Sequence, residues 1–270
     1  GYLLATNLLS QAAGQNLTES AIAILFWPLL VIQLMARVGA ILLTAGFIGE
    51  EQRRQTWDNL RATQSGAELA MRARWTSVFY RLRGLLAVII GVRVLLIAGV
   101  LFDLTAFQGR YLDLIINGII PDVSLVVAAL LLAFLMTASL LLPITGIGFD
   151  AAVGLLVSTV AQQRTYVVLT QIMVIIARVL VAGLLLYGLT RFVNGGLETS
   201  DAGAWLLTGG FAALGDWGLR FLNLGFYGEI WATVSYGVFL GLGLLVFAMV
   251  EAALTDGILA LAARRAQKKG

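Results

Sequence analysis

PITGIGFDAAVGLLVSTVAQQ, Pro143 to Gln163, decides how often the chain crosses a bilayer. The stretch is moderately apolar, but it carries Asp150 and is interrupted by Pro143, Gly146 and Gly148. It reads either as an extra transmembrane helix or as the continuation of the apolar helix before it. The charges on either side discriminate between the two. If it continues that helix, twelve Lys and Arg fall on one face: those of Gly49 to Arg83, Arg164, and the tail ARRAQKKG. Three, Arg110, Arg191 and Arg220, fall on the other, and three lie within spans. An extra span would place the basic tail opposite the basic loop. The excess of positive charge in cytoplasmic loops of membrane proteins selects the first arrangement, with the 49–83 loop and the C-terminus cytoplasmic.

The bilayer itself follows from composition. Of the 270 residues 60% are hydrophobic and 12% charged, and the mean hydropathy is +0.92. Apolar runs exceed the ~18 residues needed for a helical span. Such runs occupy 21–48, 84–102, 122–142, 166–190 and 228–250, and each can cross a core of about 30 Å at about 1.5 Å per residue. The expected fold is therefore all-α: a polytopic helical membrane protein of one transmembrane domain with five full spans, at the inner (plasma) membrane. Residues 143–165 form a cytoplasmic connection, and 251–270 a cytoplasmic tail. GYLLATNLLS, Gly1 to Ser10, is too short to span and reads as the end of a further helix whose beginning precedes Gly1. No basic leader region marks a signal peptide.

The residue inventory excludes much chemistry. There is no Cys and no His, which removes disulfides, thiolate metal sites, histidine ligation of haem or chlorophyll, and histidine acid–base catalysis. No metal site or cofactor is expected. The basic pI of about 9.4 reports membrane orientation rather than a nucleic-acid partner. No carboxylate pair or serine–lysine pair at membrane depth suggests an intramembrane enzyme.

GEEQRRQTWDNLRATQSGAEL, Gly49 to Leu69, is the most charged stretch of the chain. Apolar positions Trp57, Leu60, Ala67, Met71, Trp75, Val78 and Leu82 recur at helical spacing apart from a gap at Gln64. Ser65 with Glu68 three residues on has capping-box spacing, so one helix ends near Thr63 and a second begins after Ser65. The pair is either a lever joined to two spans or an amphipathic element lying on anionic lipid.

The external 191–227 loop contains two apolar pieces of roughly ten residues, too short to span. Ser200 or Asp201 caps the first and Asp216 the second. They read as a re-entrant pair, with Trp205, Trp217, Tyr227 and Trp231 as an interfacial aromatic belt. Within the spans, Arg37, Arg93 and Arg178 each cost roughly 2.5 to 3.5 kcal/mol to insert. They are either the cationic lining of a path for an anionic or amphiphilic substrate, or Arg37 snorkels to an interface and the other two satisfy backbone carbonyls or glutamines between packed helices. Gln33 and Gln171 belong to the same candidate path or act as interhelical hydrogen-bond partners. GVFLG, Gly237 to Gly241, has the small-xxx-small spacing of close helix packing.

AGFIGEEQRRQTWDNLRATQSGAELAMRARW resembles the segment after the second span of ABC-2 type permeases, the membrane subunits of ATP-binding-cassette exporters. There an E-R-E-x-G-T-W-E-x-L-L-A-T-P run leads into the cytoplasmic coupling region. Glu50, Glu51, Thr56, Trp57, Leu60, Thr63 and Ser65 are the matching positions, and Glu68 completes the cap. Gln55 and Gln64 depart from the family's usual glycine and proline. GLLVSTVAQQRTYVVL is similar to the family's G-L-L-x-S-x-L-A-x-x-R run, through Gly154, Ser158 and Arg164. The external re-entrant pair is also a family feature, and a first of six spans would precede Gly1.

The resemblance implies a permease subunit that couples through 49–83 to a separate ATPase subunit. It also implies a second permease copy or paralogue as partner, besides membrane lipids. The chain lacks the phosphate loop that ends in Gly-Lys-Ser/Thr, since its lysines are Lys268 and Lys269. It is accordingly no ATPase or other enzyme itself. The alternative is a non-catalytic accessory subunit of a larger electron-transfer or photosynthetic membrane complex, contacting lipid, quinone or carotenoid.

Overall fold

The computed structural model describes residues 17–53, 66–106, 123–160 and 164–268, and all regular structure there is helical. In chain order the elements are α1 (Leu17–Thr44), α2 (Phe47–Arg53), α3 (Gly66–Arg81), α4 (Arg83–Ala106), α5 (Leu125–Val160), α6 (Arg164–Val193), α7 (Asp201–Gly210), α8 (Leu224–Thr233) and α9 (Leu240–Lys268). Five stretches among the described residues are long and apolar enough to cross a membrane: Ala21–Arg53, Arg83–Leu104, Leu125–Val160, Thr165–Val193 and Gly237–Gln267. The protein is thus a multi-pass helical membrane protein by length and hydropathy. Helices are the structure that satisfies every backbone amide and carbonyl within its own segment, which hydrocarbon demands.

Pro143–Val160 continues α5 without a break, so Pro143, Gly146 and Gly148 do not end the helix. A proline inside a helix costs one intrahelical bond, which neighbouring groups in a membrane protein can replace. The last span differs from the hydropathy boundary of 228–250. Residues up to Thr233 belong to α8, whose cap is Val234. The chain then turns through Tyr236, which is left-handed at φ 59°, and a 3₁₀ turn, Gly237–Phe239, leads into α9. Hydropathy ran through this break because the turn is itself apolar. The expected tail beyond 250 is helical to Lys268.

Contacts divide the chain into two compact units. One comprises Gly1–Val31, Ile89–Leu142 and Ala182–Phe247. Its core is aromatic: Phe221 lies 6.4 Å from Phe211 and 5.4 Å from Phe226 between ring centroids, and Tyr227 lies 5.0 Å from Trp231. Trp217, Tyr227 and Trp231 are buried in it and Trp205 is half-buried. These four residues therefore do not form the exposed interfacial belt expected from the sequence. Packing against one another removes more apolar area than the headgroup region would. Gly237 and Gly241 do mark close packing. A Cβ on Gly237 would meet the Ile230 carbonyl at 2.8 Å, and one on Gly241 the Leu131 carbonyl at 2.7 Å.

The other unit comprises Ile32–Val88, Pro143–Val181 and Ala248–Gly270. Its apolar core gathers Phe47 and Ile48 of α2, Ala67 and Met71 of α3, Ala152 and Leu155 of α5, and Leu259 and Ala266 of α9. At Gly154 α5 packs closely on α1. A Cβ there would collide with Thr44 Oγ1 and stand 3.2 Å from the Ile41 carbonyl oxygen.

Candidate functional site

Three constellations hold the chemistry-bearing residues. The first is built on α3. Ala67, Met71, Val78 and Leu82, at steps of four, seven and four, are all buried, so the apolar stripe faces protein. Trp75 Nε1 donates to the Gly148 carbonyl of α5 at 2.8 Å, and Arg74 donates through Nη2 to the Leu43 carbonyl of α1 at 2.8 Å. Arg74 also sits 3.7 Å from Glu50 and over the Phe47 ring of α2. On the solvent side Arg72 bonds Glu68 at 3.1 Å, an exposed pair one turn apart. Such a pair adds only a few tenths of a kcal/mol, ~0.3 to 0.5. Glu50 is exposed and Glu51 half-buried. Of the other expected coupling residues, Thr56, Trp57, Leu60, Thr63 and Ser65 lie outside the described residues. The second helix is described over Gly66–Arg81, and the Ser65 cap expected for it lies outside the described residues.

In the second constellation, within the same unit, Asp150 of α5 lies between two arginines. Arg178 of α6 donates through Nη2 to Oδ1 at 2.5 Å, and Arg37 Nε of α1 stands 3.9 Å from Oδ2. Arg178 also lies over the Phe149 ring at 5.6 Å. Glu251 of α9 accepts from Thr145 Oγ1 at 2.7 Å and interacts electrostatically with Arg37, Asp150 and Arg178. Asp150 is 1% exposed and Arg37 6%. Two cations and two carboxylates from four helices thus form a balanced cluster. Ions so far from water persist only when paired, and removing one partner of such a pair costs about 3 to 5 kcal/mol. Arg37 is thus held in a cluster of mixed charge. Gln33 is buried and Gln171 half-buried.

Arg93 belongs to the other unit. Its fully buried guanidinium makes three bonds to backbone carbonyls. Nη1 donates to Ser139 and to Trp217, each at 2.6 Å, and Nη2 donates to Asp216 at 2.8 Å. Pro143 has no N–H to offer the Ser139 carbonyl four residues before it, and Arg93 supplies a donor in its place. The planar fork can reach several acceptors at once, which an ammonium point charge does less well.

The loop opposite Arg93 is held by Asp216. Its carboxylate accepts from the Gly218 amide at 2.9 Å and from the Arg220 amide at 2.7 Å. Trp217 at φ 57° and Gly218 at φ 75° are both left-handed. That conformation is costly for a tryptophan, about 1 to 3 kcal/mol, and persists only where surroundings dictate it. Asp216 was expected to cap a ten-residue helix. It instead anchors this turn, and Asn223 caps α8 by accepting from Gly225 and Phe226. The Ser200 cap of α7 is present, accepting from Gly203. Asp216 lies outside the five spans, and burial pushes its carboxyl up to about 6, against the pull of the Arg220 amide and of Arg93.

Sequence reading missed the Asp150 pairings, because helix contacts between distant segments leave no local spacing. The one available signal was that Asp150 is the only acidic residue in an otherwise apolar 36-residue helix. Among the described residues no group of three or more His, Cys, Asp or Glu could hold a metal ion.

Comparison of the chain with protein-family models, with curated proteins and with solved structures finds no match.

Proposed function

We propose that this multi-pass protein is the membrane-spanning subunit of an ABC-2 type exporter, driven by ATP hydrolysed on a separate polypeptide. One observation carries the reading. Helix α3 adjoins α4 and is fastened to α1 by Arg74, to α5 by Trp75 and to α2 through the Phe47 and Ile48 cluster. A push on the 49–83 region would therefore be transmitted to several spans at once, as coupling by rigid-element movement requires. The charge asymmetry of the loops supports placing that region in the cytoplasm, where an ATPase would meet it. Glu50, Glu51, Thr56, Trp57, Leu60, Thr63, Ser65 and Glu68 form the proposed contact.

Arg37, Arg93 and Arg178 all have protein partners. That favours an amphiphilic cargo over a free anion that would need an open guanidinium. In this reading the Arg37–Asp150–Arg178 cluster, with Glu251, latches α1, α5, α6 and α9 against one another. Its ion pairs are the contacts that must exchange if those helices tilt.

A second reading rests on α6. Along its length Tyr166, Leu169, Met173, Ile176, Leu180 and Leu184 are exposed, a face that lipid or another membrane subunit would cover. This is compatible with an accessory subunit of a larger complex.

Affinity purification of the tagged protein in mild detergent separates the two. The exporter reading predicts a stoichiometric ATP-binding protein and vanadate-sensitive ATP hydrolysis in the eluate. Co-purification of redox or pigment proteins without an ATPase would replace it with the accessory reading.

A further inference from the structure

The cleft beside Arg220 has no part in the proposed coupling. Its volume is about 590 Å³, and it is open to one side. Small-molecule sites commonly measure roughly 300 to 1,000 Å³. Ile22 and Phe26 of α1 and Leu186 of α6 form an apolar wall, with Glu19 and Glu229 on the rim. Ile22 and Phe26 are buried, whereas both glutamates are exposed. All of these belong to the same unit.

The Arg220 guanidinium lies over the Phe226 ring at 4.5 Å and over the Phe26 ring at 5.8 Å. Stacking on aromatic faces fixes the plane of the guanidinium without using its N–H donors. The Asp216 carboxylate bonds the Arg220 main-chain amide. Among the described residues, no carboxylate or carbonyl accepts from the guanidinium itself. The cleft therefore offers an oriented, half-buried cation with open donors at the edge of an apolar groove.

Its depth in the bilayer is indicated by the spans. Glu19 lies two residues before the span Ala21–Arg53 begins, and Thr190, also on the cleft wall, lies three before the span Thr165–Val193 ends. That is headgroup level. One guanidinium and two carboxylates do not suit a singly anionic headgroup, because the carboxylates would repel it. They suit a zwitterion: a phosphate takes the Arg220 fork through two parallel bonds, and a primary ammonium donates to Glu19 or Glu229. A quaternary ammonium has no hydrogen to donate.

We propose that this cleft binds a phospholipid with a phosphoethanolamine headgroup, with phosphate on Arg220, ammonium at Glu19 and Glu229, and an acyl chain along Ile22, Phe26 and Leu186. The site is independent of the ATPase coupling.

The test is native mass spectrometry of the delipidated protein, titrated with dioleoyl-phosphatidylethanolamine, -phosphatidylcholine and -phosphatidylglycerol. Variants are Arg220→Gln and the double variant Glu19→Gln/Glu229→Gln, each checked for an unchanged elution profile. The expected order of affinity is ethanolamine above choline and glycerol. Arg220→Gln should weaken ethanolamine-lipid binding about tenfold or more, as loss of a charge-assisted hydrogen bond predicts. The double variant has exposed, non-core positions and so keeps the test valid if Arg220→Gln does not fold. It should abolish the preference for ethanolamine over glycerol lipid. Equal or tighter binding of the glycerol lipid by the wild type overturns the proposal, as does an unchanged preference in the double variant.

Discussion

At the residue scale, three positions in this protein carry obligations that their neighbours impose. Gly154 is one. A methyl group there would collide with Thr44 Oγ1 and press on the Ile41 carbonyl, which is backbone and cannot step aside. Gly154→Ala should destabilise the protein by about 1 to 3 kcal/mol, the usual range for an overpacked site. Gly183 has nothing within 4 Å of its would-be Cβ, so Gly183→Ala should leave the melting temperature in detergent unchanged or higher. Equal effects of the two substitutions would contradict the close α1–α5 approach. Sequence alone offered Gly154 only as a match in a motif. The reason for it is a neighbour on another helix.

Arg93 is the second. Arg93→Met removes a charged donor from the Ser139, Trp217 and Asp216 carbonyls beside the left-handed Trp217, of which the Asp216 carbonyl still accepts from the Leu219 amide at 3.3 Å. Buried unsatisfied acceptors cost about 1 to 3 kcal/mol each. A loss of at least ~3 kcal/mol is expected, and Arg93→Lys should recover little of it, because an ammonium lacks the planar fork. Full rescue by lysine in a thermal-unfolding series would argue against the geometry.

Asp216 is the third, and its effect depends on pH. Its carboxyl titrates near 6 in the folded protein, above its ordinary value of 3.8. Between those pH values the native state holds more protons than the unfolded chain, so stability falls as pH rises from about 4 to about 6. The penalty is absent below pH ~4 and complete above pH ~6. The melting-temperature difference between wild type and Asp216→Asn should therefore move against the wild type across that interval. A difference constant with pH would show that the carboxyl is not held in this way.

At the element scale, helices with strong local signals were legible and those set by distant partners were not. The buried stripe Ala67, Met71, Val78 and Leu82 follows from periodicity. What the stripe packs against could not be read, since Ala152, Leu155, Leu259 and Ala266 come from segments far along the chain. The break between α8 and α9 was hidden for another reason. Val234 and Tyr236 are as apolar as the helices they separate, and only the left-handed Tyr236 betrays the turn. Trp75 tests the fastening of α3. Trp75→Phe keeps much of the aromatic bulk and its edge-on approach to Phe79 but removes the bond to the Gly148 carbonyl. It should cost about 1 kcal/mol, whereas Trp75→Ala should cost about 3 to 5. Limited proteolysis should then cut within α3 faster in the alanine variant than in the phenylalanine one. Indistinguishable cleavage of wild type and Trp75→Ala would mean that α3 is not held through this side chain.

At the scale of the whole molecule, composition and run length were enough to read a helical membrane protein, because no other structure hides so many apolar residues and backbone groups at once. The continuation of α5 through Pro143 was legible from charge counting. The charge cluster at Asp150 was not, because Arg37 and Arg178 come from segments far along the chain. With no cysteine in the sequence, single-cysteine variants can be made directly in the wild-type background. The most direct test places one cysteine at Leu60, at the centre of the proposed ATPase contact, and one at Arg191, which the proposed orientation puts on the opposite face, as the control, and cross-links each in native membranes. The coupling account predicts that the Leu60→Cys protein cross-links to an ATP-binding polypeptide, that added nucleotide changes the yield, and that Arg191→Cys gives no such product. If Leu60→Cys captures no ATP-binding polypeptide, or captures the same products as Arg191→Cys, the chain is not the driven subunit of an ATP-powered exporter.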